Sequence, residues 1–309
     1  MPRHGLGGIR LSRPYSRRGK VGFVVSFLGP AVVLYLVFVV YPLFQALAIS
    51  LYRWKGVSAR KRFVGLENFN KLLHDDALFQ SLGNAAWLLI FSLVTVFVGG
   101  LAAAHALNHN GRAARTVRGL ILFPQIVSIV AVAVLWSFIF HSDSMGLANG
   151  LLELFGLKGQ NWLGESGSSM PSVAVAFVWH ALGFYILLFL AGIKGIEGET
   201  LEAAELDGST GLHRLRTITW PLLWSVKKIA TTYLVINVMN VFALVILMTN
   251  GGNPDRHTEM PLTYLYEQAF ENSQFGYATS LAVVDFILAM GLSLIVMAIY
   301  RRNPVEARR

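Results

Sequence analysis

Cysteine is absent from the 309 residues of this chain. Its absence excludes disulfides, thiolate metal sites and a cysteine nucleophile. Charge is also scarce, because Asp, Glu, Lys and Arg make up 14% of the residues, against about 25% in an ordinary soluble domain. Hydrophobic residues reach 54%. A chain with so little charge is not solvated by water over most of its length, and we predict that it lies largely in a bilayer.

Catalytic motifs are missing as well. No Gly-x-x-x-x-Gly-Lys-Ser/Thr loop is present, so the chain lacks the usual cradle for nucleotide phosphates. The eight histidines are scattered and are not spaced as metal ligands, and no nucleophile elbow occurs. We therefore expect neither a metal site nor a cofactor, and we do not expect this chain to be an enzyme.

Long apolar runs are what the sequence has in abundance. Five stretches contain no Lys, Arg, Asp or Glu, namely residues 21–52, 77–111, 119–142, 166–193 and 229–254. A sixth, residues 272–300, is interrupted only by Asp285. Each exceeds the roughly 20 residues that a helix needs to cross a hydrocarbon core of about 30 Å, and none shows the sustained alternation of barrel strands. We predict an all-α, polytopic membrane protein with six transmembrane helices.

The order of these runs divides the chain into segments. Residues 1–20 form a basic tail, and residues 21–49 form the first transmembrane helix. That run is longer than the roughly 7 to 15 apolar residues of a signal peptide and lacks a small-residue cleavage site, so we expect it to remain as an anchor. Residues 50–80 then form a loop, residues 81–301 form the transmembrane core, and residues 302–309 form a second tail.

The distribution of basic residues predicts the orientation. With six helices both termini lie on one side, and the tails together with the second and fourth loops hold most of the 26 Lys and Arg residues. The positive-inside rule then places the termini in the cytoplasm and residues 50–80 outside. The net charge of +9 follows from this asymmetry, so no nucleic-acid partner is expected. Six basic residues of the predicted external loop argue against this orientation, namely Arg53, Lys55, Arg60, Lys61, Arg62 and Lys71.

A compact polar segment separates the fourth apolar run from the fifth. Residues 199–207 are good helix formers, with acidic residues near the helix start where the macrodipole favours them. Gly208 is placed to end this helix in a left-handed cap, and Ser209 or Thr210 can cap a second helix. Pro221 marks the return to the membrane. We predict a cytoplasmic helical hairpin that serves as a docking surface for another protein.

The spacing of residues within this hairpin carries a resemblance. Glu202-Ala203-Ala204 is followed by three residues, Gly208, nine residues, Ile218, one residue and Trp220-Pro221. This string resembles the EAA loop of permease subunits in bacterial ATP-binding-cassette (ABC) importers. It departs from the commoner family residues at Gly198, Leu206, Ser209, Leu215 and Trp220. The resemblance implies the MetI-like fold of type I importers, in which the cytoplasmic loop at 195–225 couples to an ATPase subunit. The coupling residues that it implies here are Glu202, Ala203, Ala204, Asp207, Gly208, Ile218 and Pro221.

Other segments are similar to the carbohydrate-uptake, MalF-like branch of these permeases. They are Phe63 to Phe69, Phe123-Pro124, Trp136, Gly146 to Asn149, and Thr249 to Gly252, the last with Asn253 inserted before the expected Pro254. The branch implies a bacterial cytoplasmic membrane complex with a second permease subunit, two ATP-binding subunits and an extracytoplasmic solute-binding protein. ATP hydrolysis then occurs on separate chains, and a mono- or oligosaccharide passes between the two permeases.

Polar residues within the apolar runs are candidate substrate contacts, because each is costly in hydrocarbon unless it faces protein or water. Asn237 and Asn240 share a helix face at i, i+3 spacing and can hydrogen-bond sugar hydroxyls, while Trp179 and Tyr185 can pack on the apolar faces of a sugar ring. Helix packing is the alternative role for all four. The neighbouring histidine, His180, is expected to be a hydrogen-bonded interior residue.

Asp285 is expected near the bilayer midplane, where a carboxylate marks either a site or a hydrogen bond between helices. It also defines a second functional hypothesis, an ion-coupled secondary carrier with Asp285 as the coupling carboxylate. Such a carrier is expected to show inverted repeats or interrupted helices in matching halves. The sequence shows no convincing repeat.

Overall fold

The computed structural model describes residues 17–58, 60–109, 111–143 and 145–301, with side chains from residue 23 onward. The predicted tails therefore lie almost entirely outside the described residues. The chain divides into two compact units, residues 1–48 and 49–309. In the first unit, α1 (Arg17–Tyr35) continues through a π-helical turn (Leu36–Val40) into α2 (Tyr41–Ile49). Residues 23–49 of this helix are long and apolar enough to cross a membrane.

The second unit begins with a small β-hairpin that the sequence did not predict. β1 (Tyr52–Arg53) pairs antiparallel with β2 (Arg62–Phe63), and α3 (Glu67–Leu72) follows. The buried Asn68 amide donates to the carbonyls of Ser50 at 2.7 Å and Tyr52 at 3.1 Å. We call the end of the helix bundle that carries this β-hairpin the β-hairpin end.

Helices make up nearly all of the remaining structure, which confirms the all-α prediction. They are α4 (Asp76–Thr95), α5 (Leu101–Ala106), α6 (Arg112–Ile126), α7 (Ile129–Ile139), α8 (Leu147–Leu154), α9 (Ser166–Lys194), α10 (Gly198–Leu206), α11 (Gly211–Arg214), α12 (Trp220–Leu222), α13 (Trp224–Met239), α14 (Ala243–Thr249), α15 (Pro261–Tyr266) and α16 (Phe275–Ile299). π-Helical turns join α4 to α5, α11 to α12, and α15 to the loop before α16.

Four of the six predicted spans are continuous helices, at residues 23–49, 76–106, 166–194 and 275–299. The other two are bent pairs. α6 and α7 meet at an angle of 98°, and α13 and α14 meet at 47°. The predicted count of six spans is consistent with the structure if each bent pair is one span. The sequence analysis did not predict the two bends.

Pro124 lies just before the first break. Proline lacks an N–H donor, and its ring crowds the carbonyl one turn earlier. Three residues later, Val127 and Ser128 adopt extended backbone, with ψ of 139° and 136°. The carbonyl of Pro124 is not left without a partner in the membrane, because Nδ1 of His180 lies 2.9 Å from it. Backbone that leaves a helix in the bilayer is tolerated when a neighbouring helix satisfies its polar groups in this way.

Two asparagines accompany the second break. The side-chain amides of Asn237 and Asn240 each donate at 2.8 Å to the carbonyl four residues earlier, on Tyr233 and Ile236. Side-chain bonds to these carbonyls compete with the backbone ladder and favour a bend. α13 ends one residue before Asn240, and Phe242 leaves helical geometry, with φ of −135°.

α9 lies at the centre of the second unit. Its side chains are buried on several faces, including Val173, Ala176, Tyr185 and Phe189, and it packs against α4, α5, α6, α7, α13 and α14. Gly183 permits the closest approach, since a Cβ atom there would overlap the backbone carbonyl of Ile121 in α6. The central helix is therefore held directly against the bent span.

At the β-hairpin end, Asp75 connects three elements through hydrogen bonds. Its Oδ1 caps α4 by accepting the N–H groups of Ala77 at 3.1 Å and Leu78 at 3.4 Å. Its Oδ2 accepts the hydroxyl of Tyr264 from α15 at 2.5 Å and that of Tyr277 from α16. Burial alone would raise the pKa of Asp75, but these four hydrogen bonds outweigh it and lower the pKa below the usual value.

Candidate functional site

The first candidate site is the hairpin formed by α10, α11 and α12. α10 ends at Leu206, and Gly208 follows with φ of +77°, which confirms the predicted left-handed cap. The N–H of Gly208 donates to Glu205 at 3.0 Å, and the N–H of Ser209 donates to Ala204 at 2.9 Å. These two bonds form a Schellman motif, which satisfies the last carbonyls of the helix.

The second helix of the hairpin departs from the predicted cap. It begins after Thr210, whose side chain makes no capping hydrogen bond. The Ser209 hydroxyl is buried and has no hydrogen-bond partner among the described residues. The expectation that either residue caps this helix is therefore wrong. An ion pair at 3.5 Å between Glu205 and Arg214 joins the two helices instead.

The structure exposes most of the residues that the EAA resemblance implies. Glu202, Ala203, Asp207 and Gly208 lie at the surface, Ile218 and Pro221 are half-buried, and Ala204 is buried against the chain. Two large apolar side chains beside them are also uncovered, because Leu206 is 90% and Leu212 is 61% exposed. Large apolar side chains exposed beside one another mark a candidate protein docking surface.

A buried lysine connects this hairpin to the membrane helices. Lys227 is 3% exposed, and its ammonium lies 4.3 Å from the ring of Trp220 and 4.9 Å from that of Trp224. The rings stabilise the desolvated charge through cation–π contacts. Trp220 also packs edge-on against Phe97, at 5.8 Å between ring centroids, and the indole N–H of Trp224 donates to Tyr300 at 3.0 Å. These contacts therefore link the hairpin to α13, α16 and the helix that contains Phe97.

The second candidate site is a cavity of about 340 Å³ where both bent spans meet α9. Its lining residues are Gln125, Ile129, Phe177, His180, Ala181, Phe184, Tyr185, Tyr233, Asn237, Asn240, Val241, Phe242, Ala243 and Leu244. Both breaks contribute, since Gln125 and Ile129 flank the first, and Asn240 to Ala243 form the second. Irregular backbone inside a membrane is expected where it borders a cavity.

The polar groups of the cavity are only partly satisfied. The Oε1 of Gln125 is buried without a hydrogen-bond partner among the described residues. The buried Tyr185 hydroxyl interacts with the Asn237 amide but forms no well-aligned hydrogen bond. Asn237 and Asn240 each use one amide N–H on their own helix, which leaves a second N–H and the oxygen. Together with the aromatic rings of Phe184 and Tyr233, these groups can contact a molecule that has both hydroxyls and apolar faces.

The structure brings together three of the five predicted substrate residues. Tyr185, Asn237 and Asn240 line the cavity, as does His180, whose hydrogen bond to Pro124 matches the expected interior role. Trp179 does not line it and packs edge-on against Trp136 at 5.7 Å. Asp285 does not line it either. Its side chain is half-buried on α16, and its Oδ1 has no hydrogen-bond partner among the described residues.

Sequence reasoning missed Gln125, Phe184 and Tyr233. Gln125 lies next to Pro124, so a proline within an apolar run was the available signal for a break with a polar residue beside it. Phe184 and Tyr233 have no comparable signal, because aromatic residues in membrane helices usually serve packing.

Comparison with known proteins gives consistent matches over nearly the whole chain. Residues 95–303 match the family described as "Binding-protein-dependent transport system inner membrane component". The chain is 33% identical to the diacetylchitobiose uptake system permease protein NgcF of Streptomyces coelicolor, over 94% of this chain and 87% of that protein. It is 28% identical to the trehalose/maltose transport system permease protein MalF of Thermococcus litoralis, over 92% and 95% respectively.

A solved structure shares the fold. The crystal structure of a bacterial ABC transporter involved in the import of the acidic polysaccharide alginate contains a chain that superposes with a TM-score of 0.79. The match covers 92% of this chain and 97% of that one, at 21% identity. At this level of identity the likeness concerns the fold alone.

Proposed function

Because this chain belongs to the family of binding-protein-dependent transport system inner membrane components, we propose that it is the permease subunit of an ATP-driven importer whose sugar substrate passes through the cavity at the two bends. One observation carries this proposal. The broken spans place amide groups and aromatic rings around a cavity within the membrane helices, and sugars require both hydrogen-bonding groups and flat apolar surfaces.

The relatives support a sugar as the substrate class. The NgcF and MalF relatives are named for uptake of diacetylchitobiose and of trehalose or maltose. This chain matches most of the length of both proteins. No Asp, Glu, Lys or Arg side chain lines the cavity, so it is suited to a neutral solute.

The hairpin supports the coupling part of the proposal. Glu202 and Asp207 extend from its surface beside the exposed Leu206, and the sequence has no phosphate-binding loop of its own. ATP is then hydrolysed by two separate subunits that dock on this hairpin and on that of a second permease. In this arrangement the helical hairpin formed by α10 to α12 and both termini face the cytoplasm. An extracytoplasmic binding protein delivers sugar at the opposite, β-hairpin end.

The comparisons give no support to an ion-coupled carrier. Two interrupted spans are a feature that such a carrier would share, but the residue that it would require, Asp285, lies outside the cavity. Asp285 remains a candidate for a contact between α16 and a neighbouring protein or helix.

Replacement of cavity asparagines tests the substrate path. We expect Asn237→Leu and Asn240→Leu each to lower sugar uptake about tenfold, because one lost hydrogen bond is worth about 1.4 kcal/mol when its partner stays buried. Uptake of the radiolabelled sugar into proteoliposomes that contain the assembled importer is the measurement. Trp179→Leu is the matched control, since Trp179 lies outside the cavity. If Trp179→Leu lowers uptake as much as the asparagine variants do, the proposed sugar path through this cavity is wrong.

Replacement of Gly208 tests the coupling hairpin. Valine at φ of +77° costs about 1 to 2 kcal/mol, so we expect Gly208→Val to reduce the fraction of ATPase subunit that co-purifies with the permease, and the uptake, by about tenfold. Gly198→Val is the control, because Gly198 also has open space around it but is not in the left-handed region. Wild-type ATPase association and uptake in Gly208→Val would contradict the assigned role.

A further inference from the structure

A second, polar cavity lies at the β-hairpin end and takes no part in the proposed sugar path. It has a volume of about 430 Å³ and lies between the loop after α14 and the π-helical turn after α15. Four carboxylates line it, on Asp255, Glu259, Glu267 and Glu271, against one cation, Arg256. We call this cavity the acidic cleft.

Arg256 does not neutralise the acidic cleft. Its guanidinium binds both oxygens of Glu267, at 2.8 and 2.9 Å, and Oε1 of Glu259 at 2.6 Å. The second oxygen of Glu259, Oε2, is buried and accepts no hydrogen bond from an N–H or hydroxyl group of the described residues, and the side chain is only 2% exposed. A buried carboxylate oxygen without a partner is costly, so this site lacks a donor.

The electrostatics of Glu259 point the same way. Burial raises its pKa to about 7, and both a hydrogen bond with Glu267 and the charge of Glu267 add to the rise, while Arg256 opposes it without restoring the usual value. The carboxylate is therefore short of positive charge. A further cation in the acidic cleft would favour the ionised form.

The acidic cleft is held in shape from the side of α4. The Asn84 amide donates to the carbonyls of Arg256 and Glu259, each at 2.9 Å, and the Gln80 amide donates to the carbonyl of Asp255 at 3.1 Å. These bonds fix the loop that carries three of the charged residues. A fixed arrangement lowers the entropic cost of binding a partner group.

We propose that the acidic cleft receives a lysine or arginine side chain of the extracytoplasmic binding protein when that protein docks. This inference rests on the proposed function, which places the β-hairpin end outside the cell. The cavity is far larger than the roughly 30 Å³ of a single water, so it accommodates a whole side chain. A lysine or arginine side chain supplies both a positive charge and N–H donors for these carboxylates.

Affinity of the binding protein for the importer tests this inference. The assembled importer in lipid nanodiscs is titrated with its binding protein at several NaCl concentrations. We expect Glu271→Gln and Glu259→Gln each to weaken binding by up to about fivefold at low salt and to make the affinity less dependent on salt. Glu271→Lys is expected to weaken binding further, because it repels the incoming cation.

Matched variants separate this result from other causes. Glu153→Gln removes an exposed carboxylate from α8, outside the acidic cleft, and is expected to bind like the wild type. Glu271 is exposed, so its variants report on docking even if Glu259→Gln fails to fold. Unchanged affinity and salt dependence in the Glu271 variants would overturn the inference, as would loss of the second permease subunit from the purified complex. Failure of the wild-type importer to bind any binding protein would instead overturn the proposed function.

Discussion

Valine in place of Gly183 is expected to prevent the permease from packing and to reduce sugar uptake more than tenfold. A Cβ atom at this position overlaps the carbonyl oxygen of Ile121, which is backbone and cannot rotate away as a side chain can. α6 would have to move from α9, and the hydrogen bond between His180 and Pro124 would break with it. Overpacking typically costs about 1 to 3 kcal/mol, and more where the neighbour is rigid.

The measurements for Gly183→Val are the yield of monodisperse complex, its thermal unfolding midpoint and its uptake rate. Gly167→Val is the matched control, because Gly167 lies in the same helix with nothing within 4 Å of its added Cβ. We expect the control to differ little from the wild type. A Gly183→Val complex that melts and transports like the wild type would show that α6 and α9 are farther apart than described.

Alanine in place of Asp75 is expected to lower the free energy of unfolding by about 3 kcal/mol. The change removes an N-cap, worth about 1 kcal/mol, and two hydrogen bonds from tyrosine hydroxyls to a charged acceptor, worth about 1.5 kcal/mol or more each. The total is reduced because the carboxylate is partly exposed. Thermal or denaturant unfolding of the purified complex gives the value. Asp76→Ala is the control, since the exposed Asp76 makes none of these bonds, and its cost is expected to stay below about 1 kcal/mol.

The contribution of Asp75 is also expected to depend on pH in a defined direction. Its pKa in the folded protein is lowered, so its stabilisation is complete above the usual aspartate pKa and is lost as the pH falls through the lowered value. The stability difference between wild type and Asp75→Ala should therefore stay constant from pH 8 to about pH 5 and shrink only in stronger acid. A difference that already shrinks between pH 8 and pH 6 would contradict this assignment.

Local and compositional features were predictable from the sequence. The six spans follow from the lengths of the apolar runs, and the left-handed turn at Gly208 follows from the positive φ angle that glycine readily adopts. Both depend on residues close together in the chain. The breaks after Ile126 and Met239 were not predicted, because the apolar runs continue through them without a charge.

The sites needed tertiary packing to be seen. Trp179 and Tyr185 lie six residues apart on the same helix, and only the packing of α9 against both bent spans shows that Tyr185 faces the cavity while Trp179 contacts Trp136. The acidic cleft likewise depends on contacts between residues 80–84 and 255–259, which no local pattern reveals.

The Schellman turn at Gly208 has a mechanical consequence. Two backbone hydrogen bonds hold the turn after α10, and the pair between Glu205 and Arg214 joins α10 to α11, so we expect the hairpin to resist bending at this turn. We therefore expect a push from another polypeptide at the tip of the hairpin to reach the indole pair around Lys227 through this turn.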